Sequence, residues 1–189
     1  MYVATLIANS KNRNLSELIL KQVVNDLGGV KYKVLDDNIA IDISLVSEPS
    51  NFEIVWKQLQ KHQIDMVLQP IKNRRKNILL ADMDSTMIEQ ECIDELADEA
   101  GVGKRVAEIT KRAMNGELDF EDALIERVKL LKGLSSDIIV NVLKGRITLM
   151  PGAESLIKTM KRNGSYCALV SGGFTDFTEA ISKMLGFDE

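Results

Sequence analysis

Two aspartates one residue apart, Asp82 and Asp84, follow a run of four apolar residues, Ile78 to Ala81. The run reads as a short buried strand. The strand therefore delivers two carboxylates at its C-terminal end, just before Ser85, Thr86 and a helical pattern. Open α/β sheets place their active sites at such strand ends. Carboxylates this close repel unless a cation or a shared proton relieves them, so the pair suggests Mg²⁺, with one carboxylate left to act as a nucleophile. D-x-D alone also occurs in acidic loops without any catalytic role, so the rest of the chain must decide.

Two further features could do chemistry. Ser171-Gly172-Gly173-Phe174 follows a second apolar strand, Tyr166 to Val170, and leads into a helix. A hydroxyl and glycine amides at that junction can cradle phosphate oxygens, although a plain strand-to-helix turn has the same composition. Arg127 lies inside the apolar stripe Phe120, Ala123, Leu124, Val128 and Leu131. A guanidinium on a core-facing stripe needs a partner, either a carboxylate of its own chain or a carboxylate or phosphate on a ligand. Glu91 lies off the apolar face of its helix, where Glu95 or Asp98 would serve equally well by periodicity.

The elements that position these residues begin at Ile78. Helices are expected over Ile88 to Ala100, with Thr86 and Glu89 as a capping box, and over Lys104 to Met114. Further helices run from Phe120 to Lys132 behind an Asp119 cap, and from a Ser135 cap to Gly145. Together these helices, residues 88–148, form a cap inserted after the first strand. Gly152 to Arg162 and Thr175 to Leu185 complete the helices, around the strand Tyr166 to Val170.

Residues 1–71 read differently. Strands at Val3 to Ala8, Tyr32 to Leu35, Ile39 to Val46 and Ile64 to Leu68 alternate with helices at Leu15 to Leu27 and Phe52 to Lys61. This β-α-β-β-α-β order is the split, ferredoxin-like pattern, similar to an ACT-type small domain. Domains of this pattern often bind amino acids or pair with each other, so a homodimer is one expectation; the fold alone establishes neither role. Lys72 to Asn77, K-N-R-R-K-N, reads as a solvated linker.

Composition narrows the class. The chain has 189 residues, 45% hydrophobic and 28% charged, with a net charge of −4. That balance disfavours general attraction to nucleic acid or an anionic membrane. No run of about 18 apolar residues suggests a membrane span, and the first residues lack the basic region of a signal peptide. Cys92 and Cys167 sit in unrelated patterns and read as reduced, packed thiols of a cytoplasmic protein. The single histidine, His62, has no metal-ligand companion.

Asp82-Met83-Asp84-Ser85-Thr86, the run Glu89 to Ala97 (E-Q-E-C-I-D-E-L-A), Arg127 and Ser171 to Phe174 together resemble the phosphoserine phosphatases of the haloacid dehalogenase superfamily. The resemblance covers residues 78–189. It implies a Rossmann-like core with the helical cap inserted after its first strand, and Mg²⁺-dependent hydrolysis of O-phosphoserine in serine biosynthesis. On that resemblance Asp82 is the nucleophile and Asp84 the acid and base. Mg²⁺ is held by the Asp82 carboxylate and the Asp84 backbone carbonyl. Ser171, Gly172 and Gly173 hold the phosphate. Arg127 takes the substrate carboxylate and Glu91 its ammonium, with Met114 and Phe120 lining the cap. The same resemblance implies a later lysine and a G-D-G-x-N-D run that these 189 residues do not contain. The core is then incomplete, and the chain alone is expected to be weakly active or inactive. A non-catalytic fragment that binds an amino acid or dimerises is the alternative, as is a phosphatase for another small substrate.

Overall fold

A computed structural model describes residues 1–189, which divide into two compact units, Met1–Arg75 and Lys76–Glu189. In the first unit β1 (Tyr2–Ala8), α1 (Glu17–Asp26), β2 (Lys31–Asp36), β3 (Ala40–Leu45), α2 (Phe52–Gln60) and β4 (Ile64–Pro70) follow in order. The antiparallel sheet has the strand order β2-β3-β1-β4. Alternation along the strands divides its faces. Leu6, Ile41, Ile43, Leu45, Ile64 and Met66 pack against Leu20, Val23, Val55 and Leu59 of the two helices. The other face carries Thr5 and Asp42, and there Arg74 returns from the connector to pair with Asp42. Read from sequence as solvated linker, the connector is thus tied to the first unit as far as Arg74.

The second unit is built on β5 (Ile78–Ala81) and β6 (Tyr166–Leu169), a parallel pair in which Ala81 is opposite Leu169. Helices α3 (Cys92–Glu99), α4 (Gly103–Met114), α5 (Phe120–Leu130) and α6 (Asp137–Gly145) lie between them in sequence. They are followed by α7 (Ala153–Arg162), and α8 (Thr175–Leu185) comes after β6. Met83, Ile88, Leu96, Val142, Ile157, Cys167, Phe177 and Ile181 form the core. The Asp119 carboxylate accepts a hydrogen bond from the Asp122 amide at 2.8 Å, capping α5 as its residue type dictates. The two-stranded sheet is only half covered. Ile78 is 61% exposed and Leu80 68%, although parallel strands are ordinarily buried on both faces. Asp188 and Glu189 run beside β6 and exchange backbone hydrogen bonds with Cys167 and Leu169.

One element begins later than expected. Residues 88–91 are not helical, and α3 starts at Cys92. Thr86 and Glu89 do not form a capping box there. Instead Glu89 donates its amide to the Thr148 carbonyl at 3.0 Å, Met150 donates to Met87 at 3.0 Å, and Ile88 bridges Leu149. The Gln90 side chain closes the pairing by donating to Thr148 Oγ1 and accepting from the Thr148 amide. Extended pairing with a distant segment satisfies the backbone groups that a longer helix would otherwise have used.

Candidate active site

The parallel register of β5 and β6 sets the site. With Ala81 opposite Leu169, the loop that begins at Asp82 and the loop that begins at Ser171 leave neighbouring strand ends on the same side. A cavity of about 360 Å³ opens there, lined by Asp82, Asp84, Glu91, Arg127, Ser171 and Gly173, among others. Phe120, Gly172, Cys92, Ile93, Leu124, Val128 and Phe174 complete its wall.

Each carboxylate is held by an amide. Asp82 accepts from the Met83 N–H at 2.7 Å, and Asp84 accepts from the Cys92 N–H at 3.2 Å. Cys92 is the first residue of α3, so its amide is one of the unpaired donors of a helix N-terminus, where negative charge is favoured. The Cys92 thiol itself is buried, and burial followed by the nearby Asp84 pushes it above its ordinary range, which keeps it a neutral thiol.

Across the cavity, Gly173 approaches closely. A Cβ there would stand 3.0 Å from Met83 Cε and 3.2 Å from Ser171 Oγ. Its amide donates to Ser171 Oγ at 3.0 Å. Phe120, at the start of α5, stands over the loop, its ring tip 4.0 Å from where a Cβ on Gly172 would lie.

The charged residues now separate by role. Arg127 is half-buried, donates its Nε–H to the Ala123 carbonyl at 3.2 Å and makes no ion pair. The two other acids that periodicity left open, Glu95 and Asp98, are both paired with Arg146. Glu91 faces the cavity. The expectation that Met114 lines it is corrected: Met114 ends α4 and is 85% exposed, with its side chain in solvent. Beside Glu91, Asp94 has its carboxyl raised above the ordinary range by burial and then by the Glu91 charge.

A divalent cation fits the donors that are present. Asp82 and Asp84 offer oxygen only, and neither is paired with a lysine or arginine. Oxygen donors of this kind suit a hard cation such as Mg²⁺.

The sequence reading passed over two contributors, the Cys92 amide and Ser85. Ser85 has φ +51°, its N–H donates to the Gln90 carbonyl, and its hydroxyl donates to Glu91 Oε1 at 2.7 Å. A hydroxyl six residues before a ligand candidate in a tight loop was the available signal.

The family model for haloacid dehalogenase-like hydrolases matches residues 79–189. The phosphoserine phosphatase of Archaeoglobus fulgidus is 46% identical over 134 residues, 70% of this chain and 39% of that protein. The chain thus spans about two fifths of that relative. The crystal structure of a HAD family hydrolase from Salmonella enterica superposes with a TM-score of 0.82 at 26% identity, over 100% of this chain and 66% of the other. A structure described as a phospho-aspartyl intermediate analogue of phosphoserine phosphatase superposes at 0.55 and 46% identity, over 61% of this chain and 55% of the other. No helix is long and apolar enough to cross a membrane.

Proposed function

This chain belongs to the haloacid dehalogenase-like hydrolases, and from that premise we propose that it hydrolyses O-phosphoserine to serine and phosphate. One observation carries the reading: a single cavity joins the Asp82–Asp84 pair and the Ser171–Gly173 loop to an acid, Glu91, and an unpaired cation, Arg127. Phosphoserine presents a phosphate, an ammonium and a carboxylate, and the cavity has a counterpart for each. A substrate lacking either charge leaves Glu91 or Arg127 unmatched, which is the stronger form of discrimination.

In this reading the Asp82 carboxylate attacks phosphorus and the bond from phosphorus to the serine oxygen breaks. Asp84 delivers a proton to the departing oxygen, which is a poor leaving group as an alkoxide. Water then attacks the aspartyl-phosphate, giving its proton back to Asp84 and releasing phosphate and free Asp82. Ser171 and the neighbouring glycine amides hold phosphate oxygens. Arg127 fixes the substrate carboxylate and Glu91 its ammonium, while Phe120 covers the loop. Asp82 and Asp84 would hold Mg²⁺, which when bound neutralises phosphoryl charge. Helices α3–α6 act as the cap, and the first unit as an ACT-type domain. Its edge strand β2 carries unpaired backbone groups suited to a homodimer.

Phosphate release from O-phosphoserine with Mg²⁺, compared between the chain and Asp82→Asn, tests the reading. Weak release from the parent and none from the variant is expected. Equal release from both removes Asp82 as nucleophile, and no release from the parent removes the activity from this chain.

A further inference from the structure

Glu91 is the N-cap of α3, with extended backbone, and its exposed side chain would be free to rotate if nothing held it. One contact does. The Ser85 hydroxyl donates to Glu91 Oε1 at 2.7 Å. Ser85 is held in turn by its backbone. Its φ of +51° lies in the left-handed region that side chains other than asparagine, aspartate and glycine seldom adopt. Its N–H donates to the Gln90 carbonyl at 3.1 Å, and the next amides, Thr86 to Ile88, all turn onto the Met83 carbonyl. Met83 is fully buried, so the loop is anchored to the core. A strained conformation held this firmly is the kind found where function depends on it.

We propose that Ser85 is a positioning residue: its hydroxyl holds one oxygen of Glu91 and leaves the other facing the cavity for an ammonium group. The inference rests on the reading of Glu91 as the ammonium ligand and adds the element that orients it. Glu91 thereby belongs mechanically to the loop that carries Asp82 and Asp84, whereas Arg127 rides on α5. Holding the carboxylate in one rotamer removes an ordering cost that the ligand would otherwise meet on binding.

The test is calorimetric titration in the turnover-blocked Asp82→Asn background. The ligands are O-phosphoserine and 3-phosphooxypropionate, which has hydrogen in place of the amine. Ser85→Gly removes the hydroxyl while glycine adopts the positive φ without strain. Ser85→Asn tolerates that φ and restores a side-chain donor. Ser85→Gly is expected to weaken phosphoserine binding about tenfold, the scale of one hydrogen bond to a charged group, and to leave the amine-free ligand unchanged. Ser85→Asn should recover part of the loss.

Unchanged preference for phosphoserine in Ser85→Gly overturns the inference. Equal loss of both ligands also overturns it, because that is the signature of a merely structural serine. Glu91→Gln separates the two levels. If it abolishes the preference while Ser85→Gly keeps it, Glu91 stands and the role of Ser85 falls. If the background protein binds both ligands alike, the reading of Glu91 falls and takes the inference with it.

Discussion

Arg74 grips Asp42 with both arms of its guanidinium, Nη1 to Oδ2 at 2.6 Å and Nη2 to Oδ1 at 2.8 Å. Nη2 also donates to Thr5 Oγ1, and the Thr5 hydroxyl donates to Asp42 at 2.7 Å. Three residues from β1, β3 and the connector thus close one network on the sheet face that the helices leave open.

Removing the guanidinium leaves Asp42 partly buried and unpaired. Arg74→Met is expected to destabilise the first unit by about 1–2 kcal/mol, a charged hydrogen-bonded pair discounted for its partial exposure. Trp56, the only tryptophan, lies on α2 and reports this unit alone in urea unfolding followed by fluorescence.

The same network makes the first unit acid-sensitive. Burial works against the charge on Asp42, but hydrogen bonds from Arg74 and Thr5 outweigh it and hold the carboxyl below its ordinary value of 3.8. A carboxyl depressed in the folded state contributes stability above its unfolded value and loses it as the pH falls through the folded one. Trp56-monitored stability should therefore decline below about pH 4. Asp42→Asn should start lower and show a smaller decline.

Two arginines of the second unit should behave oppositely. Arg127 makes no ion pair, so Arg127→Ala is expected to leave the stability nearly unchanged, within about 0.5 kcal/mol, and the thermal midpoint with it. It should weaken binding of O-phosphoserine at least about tenfold while sparing O-phosphoethanolamine, which lacks the carboxylate. Arg146 pairs with Glu95, Asp98 and Glu99 along α3. Arg146→Ala should lower the midpoint without changing the preference between the two ligands. The reverse pattern would assign recognition to the wrong arginine.

Gly173→Ala places a methyl 3.0 Å from Met83 Cε and 3.2 Å from Ser171 Oγ. Contacts this short must open by a few tenths of an ångström, and the Ser171 hydroxyl that accepts from the Gly173 amide is one of the two groups that can yield. Titration with inorganic phosphate should show binding weakened about tenfold, as expected when one phosphate-holding group is displaced. Wild-type affinity would mean that Met83 absorbs the methyl or that Ser171 does not hold the anion.

Much of this was legible from pattern. The Asp119 cap, the apolar strand before Asp82 and the paired glycines before Phe174 follow from local rules that tertiary structure did not override. The segment 85–91 was not legible. Its residues suit a helix, but 84–87 turn tightly and Met87 to Gln90 pair with Thr148 to Met150, a partner some sixty residues away in sequence. The choice among Glu91, Glu95 and Asp98 was hidden for the same reason, because Arg146 claims two of them from α6's far end. Arg74 was read as solvent-facing because its partner sits on a strand more than thirty residues earlier. Periodicity sees one element at a time, and these contacts join elements remote in the chain.

The pairing of Ile88 with Leu149 has an evolutionary consequence. The chain leaves the strand-end loops at one point and returns at a point directly beside it, so α3–α6 form a closed excursion with its ends pinned together. Lengthening such an excursion adds little entropic cost to closing it. Helices within it can then be lost, gained or rearranged without changing the register of β5 and β6. A lineage can thus exchange what the excursion contributes to the cavity while Asp82 and Asp84 stay in place. Glu91 stands just inside that boundary but is tied to Ser85 just outside it, so its placement is inherited with the strand-end loop and that of Arg127 with the excursion.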